Sequence, residues 1–399
     1  MLLPLTNAPR EYAWGSLDAI ALLQGRDPSG RPEAEVWFGD HAGDPSDVEG
    51  QNVTLDQWLA QHGAAHGTPD RLPFLLKLLA AASPLSIQAH PSRAQAAAGF
   101  AREDAAGIPR EAGHRTYRDD NHKPEVIVAL SPVFEALAGF RPVDEVSALL
   151  AAIAGERSAG LRARLDAEAA SAVLRETVHD VLTGRADALV EAVRAGLDDH
   201  ALPAAGASGG DVAADLAALR AIHAAYPGDP GVVVALLLNR VRLRQGEALF
   251  VPAGMPHAYL SGLGVEVMAA SDNVVRGGLT PKHIDVAELM DTLDVEPGAP
   301  PRLAPRAGGP GVEVFAPPIE DFSLVRVTRD SVLAPSVTAP LAGAAIVLAT
   351  RGAPIVADGE GDVVLPPGRA VLVTADQPSV RIGGRGEVFV ARRGGLPES

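Results

Sequence analysis

Residues 84–91 read Pro84-Leu85-Ser86-Ile87-Gln88-Ala89-His90-Pro91, an apolar, β-type run that ends in an amide, an imidazole and a proline. The two-residue spacing puts the side chains of Gln88 and His90 on the same face of a strand. Two later stretches carry related groups, Asn121-His122-Lys123-Pro124-Glu125 and Pro256-His257-Ala258-Tyr259. Each adjoins an apolar run, so these polar side chains are expected at the ends of rigid strands, where sites are commonly built.

Together the three stretches offer a set of metal ligands. Imidazole nitrogen with carboxylate and amide oxygen suits Zn²⁺ or a similar borderline ion. Three strong ligands and one weak amide would leave a position for water or substrate, as catalytic zinc sites do. One histidine beside a proline carries little weight, because histidine has several other roles. The prediction rests on the whole set, which is Gln88, His90, Glu125 and His257.

These and further stretches resemble the type I phosphomannose isomerases, a zinc-dependent family. The similarity covers residues 1–140 and 235–290 and is weak elsewhere. The stretches that carry it are Tyr12-Ala13-Trp14-Gly15-Ser16, Glu35-Val36-Trp37-Phe38-Gly39, Leu72-Pro73-Phe74-Leu75-Leu76-Lys77, Ser86-Ile87-Gln88-Ala89-His90-Pro91, Asn121-His122-Lys123-Pro124-Glu125, Val251-Pro252-Ala253-Gly254, His257-Ala258-Tyr259-Leu260, Glu266, and Ala270-Ser271-Asp272-Asn273-Val274-Val275-Arg276-Gly277-Gly278-Leu279-Thr280-Pro281-Lys282. The chain departs from the family at Ser92-Arg93, where an acidic and then a basic residue are common, which affects local hydrogen bonding only.

The resemblance implies one Zn²⁺ per chain, held by the four ligands named above, and no other cofactor. It also implies that Arg276, Glu266 and Lys123 are catalytic, and that Ser86 and Lys77 contact the substrate. The function implied is the interconversion of mannose 6-phosphate and fructose 6-phosphate by zinc-assisted proton transfer through an enediol. That reaction feeds GDP-mannose synthesis or mannose use in glycolysis.

Several roles stay open from the residues alone. Glu266 alternates with apolar residues on a strand, so it is a base, a partner that holds His257, or a solvent-facing residue. Lys77 lies in an apolar run and is either an inward-pointing functional cation or a side chain that reaches solvent at a strand edge. Two other functions compete: a non-catalytic, cupin-type sugar-binding or regulatory protein, and a metal dioxygenase on the same fold.

The composition narrows the class of protein. A formal net charge of −16 argues against nucleic acid as a partner, although a local cluster of cations can still bind a small phosphorylated sugar. The chain has no cysteine, which excludes disulfides and thiolate metal sites. Residues 1–5 lack the features of a signal peptide, and the apolar run 232–238 is far shorter than the ~20 residues of a membrane span. We expect a cytoplasmic monomer with no membrane contact.

The hydrophobic pattern predicts a mainly β protein with a helical insertion, and the family implies cupin-type jelly rolls plus an all-α domain. Short strands separated by turns favour jelly rolls before and after the insertion. Residues 141–239 show helical spacing, with a small-residue linker at 202–210, and residues 231–244 are expected to form another helix, with a strand as the alternative. We predict a discontinuous metal-binding catalytic domain (1–140 and 240–300), a helical domain (141–239) and a C-terminal β domain (301–399).

Overall fold

Two large antiparallel sheets and a group of helices make up the computed structural model, which describes residues 1–199 and 210–395. The predicted linker at 202–210 lies outside the described residues except for Gly210, where a helix begins. No helix in the described ranges is long and apolar enough to cross a membrane.

The strands are β1 (Leu2–Thr6), β2 (Glu35–Phe38), β3 (Asp47–Val48), β4 (Phe74–Ala81), β5 (Gln88–Ala89), β6 (Glu125–Ala129), β7 (Val133–Phe140), β8 (Leu238–Arg244), β9 (Ala248–Val251), β10 (His257–Ala269), β11 (Val275–Arg276), β12 (Arg306–Ala307), β13 (Val312–Phe315), β14 (Ser323–Arg329), β15 (Val337–Pro340), β16 (Ala345–Ala357), β17 (Asp362–Val364), β18 (Ala370–Val373) and β19 (Ser379–Arg392). The helices are α1 (Ala19–Leu23), α2 (Leu55–His62), α3 (Arg93–Ala105), α4 (Val143–Ala154), α5 (Ala159–Ala167), α6 (Ala170–Leu182), α7 (Asp187–Asp198), α8 (Gly210–Ala225), α9 (Gly231–Leu237) and α10 (Val286–Thr292), with 3₁₀ turns at Gly63–His66 and Gly155–Ser158.

The long strand β10 organises the first sheet, which follows the order β11-β5-β10-β4-β2 with β6 to β9 paired alongside. Its second half pairs with β4 and β6, and its first half pairs with β7 and β5. The register shifts between Tyr259 and Ser261, and Gly262 follows with φ +121°, a conformation that glycine adopts at little cost. One strand therefore serves both halves of the sheet and brings segments from each side of the helical region together.

Alternation along β4 separates two cores. Phe74, Leu76 and Leu78 face the second sheet, with which they form a shared hydrophobic core. Lys77 and Leu79 face the other way, into the interior of the first sheet. All eight residues of β4 are buried, so Lys77 points inward and does not reach solvent at a strand edge.

The second sheet is built around β16 and β19 and is filled by its own apolar core. The N-terminal strand β1 joins this sheet by pairing with β18, and β3 follows it. Membership of the two sheets thus does not follow chain order. The three-domain division stays a prediction.

Helices α4 to α9 pack together on the β5, β10 and β11 part of the first sheet. Asp215 of α8 ties them to it, since its carboxylate accepts hydrogen bonds from Arg141 and Arg240, both at 2.7 Å. The expected helix at 231–244 is only half correct: α9 ends at Leu237 and the rest is β8. The alternating apolar residues of β8 pair with β7, and this pairing overrides the helical pattern. The mainly β class with a helical insertion is confirmed.

Close packing of α7 on α4 gives a stability prediction. A Cβ added at Gly196 would lie 1.9 Å from the carbonyl oxygen of Ile153, and a backbone atom cannot move aside easily. We expect Gly196→Ala to lower the free energy of unfolding by about 1–3 kcal/mol in a urea titration. The matched control is Gly160→Ala in α5, where no atom lies within 4 Å. The free energy of unfolding of the control should rise by about 0.5–1 kcal/mol, because alanine favours the helix over glycine. Equal stability of the two variants would contradict the close contact.

Candidate metal centre

Three buried side chains converge at the junction of β5, β6 and β10. They are His90, Glu125 and His257, which we call the metal cluster, and their ligand atoms lie within 4.8 Å of one another. Nε2 of His90 lies 3.2 Å from Oε1 of Glu125, and Nε2 of His257 lies 3.4 Å from Oε2. The carboxylate thus lies between two imidazoles.

Both imidazoles are oriented by main-chain carbonyls. Nδ1 of His90 is 2.8 Å from the carbonyl oxygen of Asn273, and Nδ1 of His257 is 3.2 Å from that of Met255. A carbonyl can only accept, so each Nδ1 carries a proton, and in a neutral imidazole Nε2 then presents a lone pair. Two lone pairs therefore face the oxygens of Glu125, an arrangement that a cation between them would stabilise.

The protonation states suit a divalent metal. Complete burial, reinforced by the charge of Lys123, lowers the pKa of His90 to about 4. Burial alone would raise the pKa of Glu125, but the charge of Lys123, followed by the interactions with the two imidazoles, holds that pKa well below its usual range. Nε2 of His90 is buried without a hydrogen-bond partner among the residues that the structure describes. Such an atom is costly unless it binds a metal, so the residues present fit a zinc site.

Gln88 lies beside this cluster. On β5 it is the register partner of His257 on one side and of Arg276 on the other. Its Nε2 donates to Oγ of Ser86 at 3.1 Å, so the carbonyl oxygen is the atom left for a metal. The role of Ser86 seen here is therefore to orient Gln88.

Lys123 reaches the cluster through its carboxylate. Its buried Nζ donates to Oε1 of Glu125 at 2.6 Å. This is the geometry expected for two residues that share one face of the chain. Its neighbour His122 turns away, with Nε2 2.9 Å from Oδ2 of Asp321, and it does not join the cluster.

A second buried network lies deeper in the sheet. Nζ of Lys77 is 3.2 Å from Oε2 of Glu266 and 3.4 Å from Oε1 of Glu35, and we call these three residues the lysine network. Trp37 supports it by donating to Glu35 at 2.9 Å and by placing its ring 4.9 Å from the ammonium. Burial lowers the pKa of an isolated lysine, but Glu35 and Glu266 outweigh that effect and raise the pKa of Lys77.

The burial of Glu266 removes one of its three possible roles, because a side chain with 3% exposure does not face solvent. Burial raises its pKa. The role of a partner to His257 finds no support in the contacts, since the Nδ1 of that imidazole faces Met255. Tyr259 lies between Glu266 and the metal cluster: its hydroxyl donates to Oε2 of Glu125 at 3.5 Å, and burial followed by the charges of both carboxylates raises its pKa well above 10.

Arg276 belongs to a group of cations at the edge of the site. Burial and the positive charge of Arg118 lower the pKa of Arg276, and burial with both guanidinium groups lowers the pKa of Lys282. We call these three residues the cation group. No carboxylate among the described residues lies within the 4.0 Å of an ion pair to any of them. The Asp272 carboxylate lies within electrostatic reach of Arg118, but a cation group that makes no such close ion pair is suited to bind an anion.

Sequence reasoning missed several of these residues. Glu35 and Trp37 alternate on β2 opposite Lys77, a signal that becomes visible only once the pairing of β2 with β4 is known. Lys282 ends a family stretch, but nothing local marks it as a member of a cation group. Arg118 lies outside the quoted stretches, and only the fold brings it near Arg276.

Comparisons with known proteins agree with this geometry. Residues 2–143 match the family model described as phosphomannose isomerase type I, catalytic domain. The chain is 35% identical to the mannose-6-phosphate isomerase of Salmonella typhimurium, over 96% of this chain and 97% of that protein. It is 34% identical to the human mannose-6-phosphate isomerase, over 88% of this chain and 87% of that protein.

Solved structures extend the match to three dimensions. A zinc-bound mannose 6-phosphate isomerase superposes with a TM-score of 0.86 at 33% identity, covering 98% of this chain and 99% of that one. A structure of the Salmonella typhimurium enzyme bound to its substrate, fructose 6-phosphate, and to zinc gives a TM-score of 0.85 with the same identity and coverage. These structures have the cupin fold, which confirms the expected fold class.

The lysine network gives a prediction about stability. Lys77→Met removes the only cation that lies between Glu35 and Glu266 in the described contacts. We expect the free energy of unfolding of the metal-free protein to fall by about 3–5 kcal/mol, because two buried carboxylates are left facing each other. Adding Glu35→Gln should recover part of that loss. A Lys77→Met variant with wild-type stability and a raised KM would show instead that Lys77 serves the substrate alone.

Proposed function

Because the chain belongs to the type I phosphomannose isomerases, we propose that it interconverts mannose 6-phosphate and fructose 6-phosphate at the metal cluster. The observation that carries the proposal is a buried His–Glu–His cluster with Lys123 bonded to its carboxylate, beside a cation group that makes no close ion pair among the described residues. The His–Glu–His cluster fits a divalent metal, and the cation group fits a phosphate. A phosphorylated sugar with adjacent carbonyl and hydroxyl groups can use both.

We assign zinc to Gln88, His90, Glu125 and His257. When bound, the metal polarises the sugar carbonyl and stabilises the negative charge that develops on its oxygen. The protein contributes the orientation of both imidazoles through their Nδ1 hydrogens. It also contributes the pairing of Gln88 with His257 across neighbouring strands.

The cation group is the proposed phosphate site. Guanidinium groups bind phosphate oxygens in pairs, and a lysine adds a point charge. Arg276 is the register partner of Gln88, so phosphate binding and metal binding meet on adjacent strands. We propose that the sugar is held between the phosphate site and the metal cluster. Its reacting carbons would then be fixed beside the groups that transfer the proton.

Proton transfer between carbons 1 and 2 needs a base and an acid. We propose Glu266 and Lys123 for these roles. Burial raises the pKa of Glu266 toward the working range of a base. Nζ of Lys123 donates a hydrogen bond to Glu125, so it can also donate to a sugar oxygen while the carboxylate holds it in place.

The comparisons support the isomerase and neither of the alternatives, the sugar-binding regulatory protein and the metal dioxygenase. A monomeric state and a cytoplasmic location remain proposals of the sequence reasoning. Steady-state isomerase assays in both directions test the function directly.

Metal dependence gives the next prediction. Dialysis against a chelator should abolish isomerase activity, and stoichiometric Zn²⁺ should restore it, because the charge on the developing oxyanion is otherwise uncompensated. Among alanine variants of the four ligands, Gln88→Ala should retain the most zinc, since a neutral amide is the weakest donor. Full activity in a sample whose zinc content is below detection would refute the assignment.

Replacement of Arg276 tests the cation group. We expect Arg276→Ala to lower kcat/KM about 100-fold or more, with zinc content unchanged, because it removes a preorganised charge. A loss mainly in kcat means that the guanidinium acts in the transition state, and a rise mainly in KM means that it binds ground-state phosphate. Lys282→Ala is the matched variant and should change mainly KM. Wild-type constants in Arg276→Ala would remove that residue from the site.

A further inference from the structure

Residues 118–122 form a loop that leads directly into Lys123, and we call it the 118–122 loop. A cavity of about 1590 Å³ lies against it, and all five of its residues line that cavity. The opposite wall includes residues 318–321 and 342–344. The cavity side of the loop therefore faces open space, and among the described residues the contacts across it are those of His122 with Asp321 and Arg93. The position of the loop therefore depends on contacts on its inner side, the side away from the cavity.

The side chain of Asn273 holds that inner side. It is wholly buried, and its Oδ1 accepts from the backbone N–H of Arg118 at 2.7 Å and of Asp119 at 3.3 Å. Its Nδ2 donates to the carbonyl oxygens of Asp119 and Asn121, each at 2.8 Å. The Asn273 amide thus accepts two hydrogen bonds from the loop backbone and donates two to it, which is the full capacity of an asparagine side chain.

The main chain of the same residue holds a metal ligand. The carbonyl oxygen of Asn273 accepts the Nδ1 hydrogen of His90 at 2.8 Å, which directs Nε2 of that imidazole into the metal cluster. Its N–H donates to Oγ of Ser271 at 3.2 Å, and that hydroxyl donates to Oδ1 of Asp119 at 2.8 Å. Side chain and main chain of Asn273 therefore touch the loop and the ligand at once.

We propose that Asn273 is a positioning residue that couples His90 to the 118–122 loop, so that the metal site and Lys123 keep one relative geometry. The inference rests on the proposed function for the role of Lys123. The chemistry requires an amide: aspartate offers no donor to the two carbonyls, and leucine offers neither donor nor acceptor. Partners that orient a metal-bound histidine commonly affect metal affinity as well as activity.

The test compares Asn273→Ala with Asn239→Ala. Asn239 is also buried, and its Nδ2 donates to main-chain carbonyls away from the 118–122 loop and from His90, namely those of Ala138, Gly139, Phe140 and Gly298. Zinc dissociation constants are measured by chelator competition. The values of kcat and KM are measured at saturating zinc, and the melting temperature is measured on metal-free protein. We expect Asn273→Ala to bind zinc about 10–100-fold more weakly and to lose kcat. Asn239→Ala should lose melting temperature to a similar degree and keep its zinc affinity.

Two results would overturn the inference: wild-type zinc affinity and kcat in Asn273→Ala, or an equal loss of zinc affinity in Asn239→Ala. If Asn273→Ala does not fold, Asn273→Asp is the second variant, because it keeps the acceptor for the loop N–H groups and loses both donors to the loop carbonyls. It should weaken zinc binding and lower kcat in the same direction, and wild-type values there overturn the inference too. A wild-type protein that binds zinc but does not isomerise the sugar would defeat the proposed function alone, because the zinc affinities still test Asn273.

Discussion

The compensation of buried charge is the constraint on which the rest of the site depends. Three carboxylates, those of Glu35, Glu125 and Glu266, lie inside the first sheet with two lysines, Lys77 and Lys123. The formal excess is one negative charge, and it falls on the lysine network, where Glu35 and Glu266 share Lys77, whereas Lys123 balances Glu125 at the metal cluster. A cation bound between the two imidazoles and Glu125 would offset that excess within the same interior, because buried carboxylates without a balancing charge are unfavourable.

The fold meets this constraint through a single strand. β10 carries His257 and Tyr259 before its register shift and Glu266 after it, so one bend at Gly262 places the metal cluster and the lysine network on the same interior face. The strands β2, β4 and β6 then add Glu35, Lys77 and Glu125, each at a fixed register position. Polar residues on that face alternate with apolar ones that pack on the second sheet, which keeps the polar interior rigid.

Sequence reasoning reached the fold class, the zinc and the function because several short stretches resemble the type I phosphomannose isomerases, and the candidate ligands lie within those stretches. It could place Gln88 with His90, and Lys123 with Glu125, since both relations are local. Contacts between distant residues were out of its reach. Glu35 near Lys77 depends on the pairing of β2 with β4, and Asn273 near His90 depends on how the chain returns after β10. Residues 231–244 were misassigned in half because pairing with β7 outweighed a local helical pattern.

The separation of charges also explains how one interior can hold a base and an acid together. Glu266 shares its proton-accepting oxygens with Lys77 and Tyr259, whereas Lys123 is bonded to Oε1 of Glu125, the same oxygen that faces His90. A change of charge at Lys123 is therefore felt first by the metal cluster, and a change at Glu266 is felt first by the lysine network. Tyr259 lies between the two carboxylates and its raised pKa keeps it protonated, so its hydroxyl separates them, although the charge of Glu125 still contributes to the raised pKa of Glu266. Two groups with opposite tasks can then keep different proton affinities within one cavity, which is the condition that acid–base isomerisation imposes on any fold that performs it.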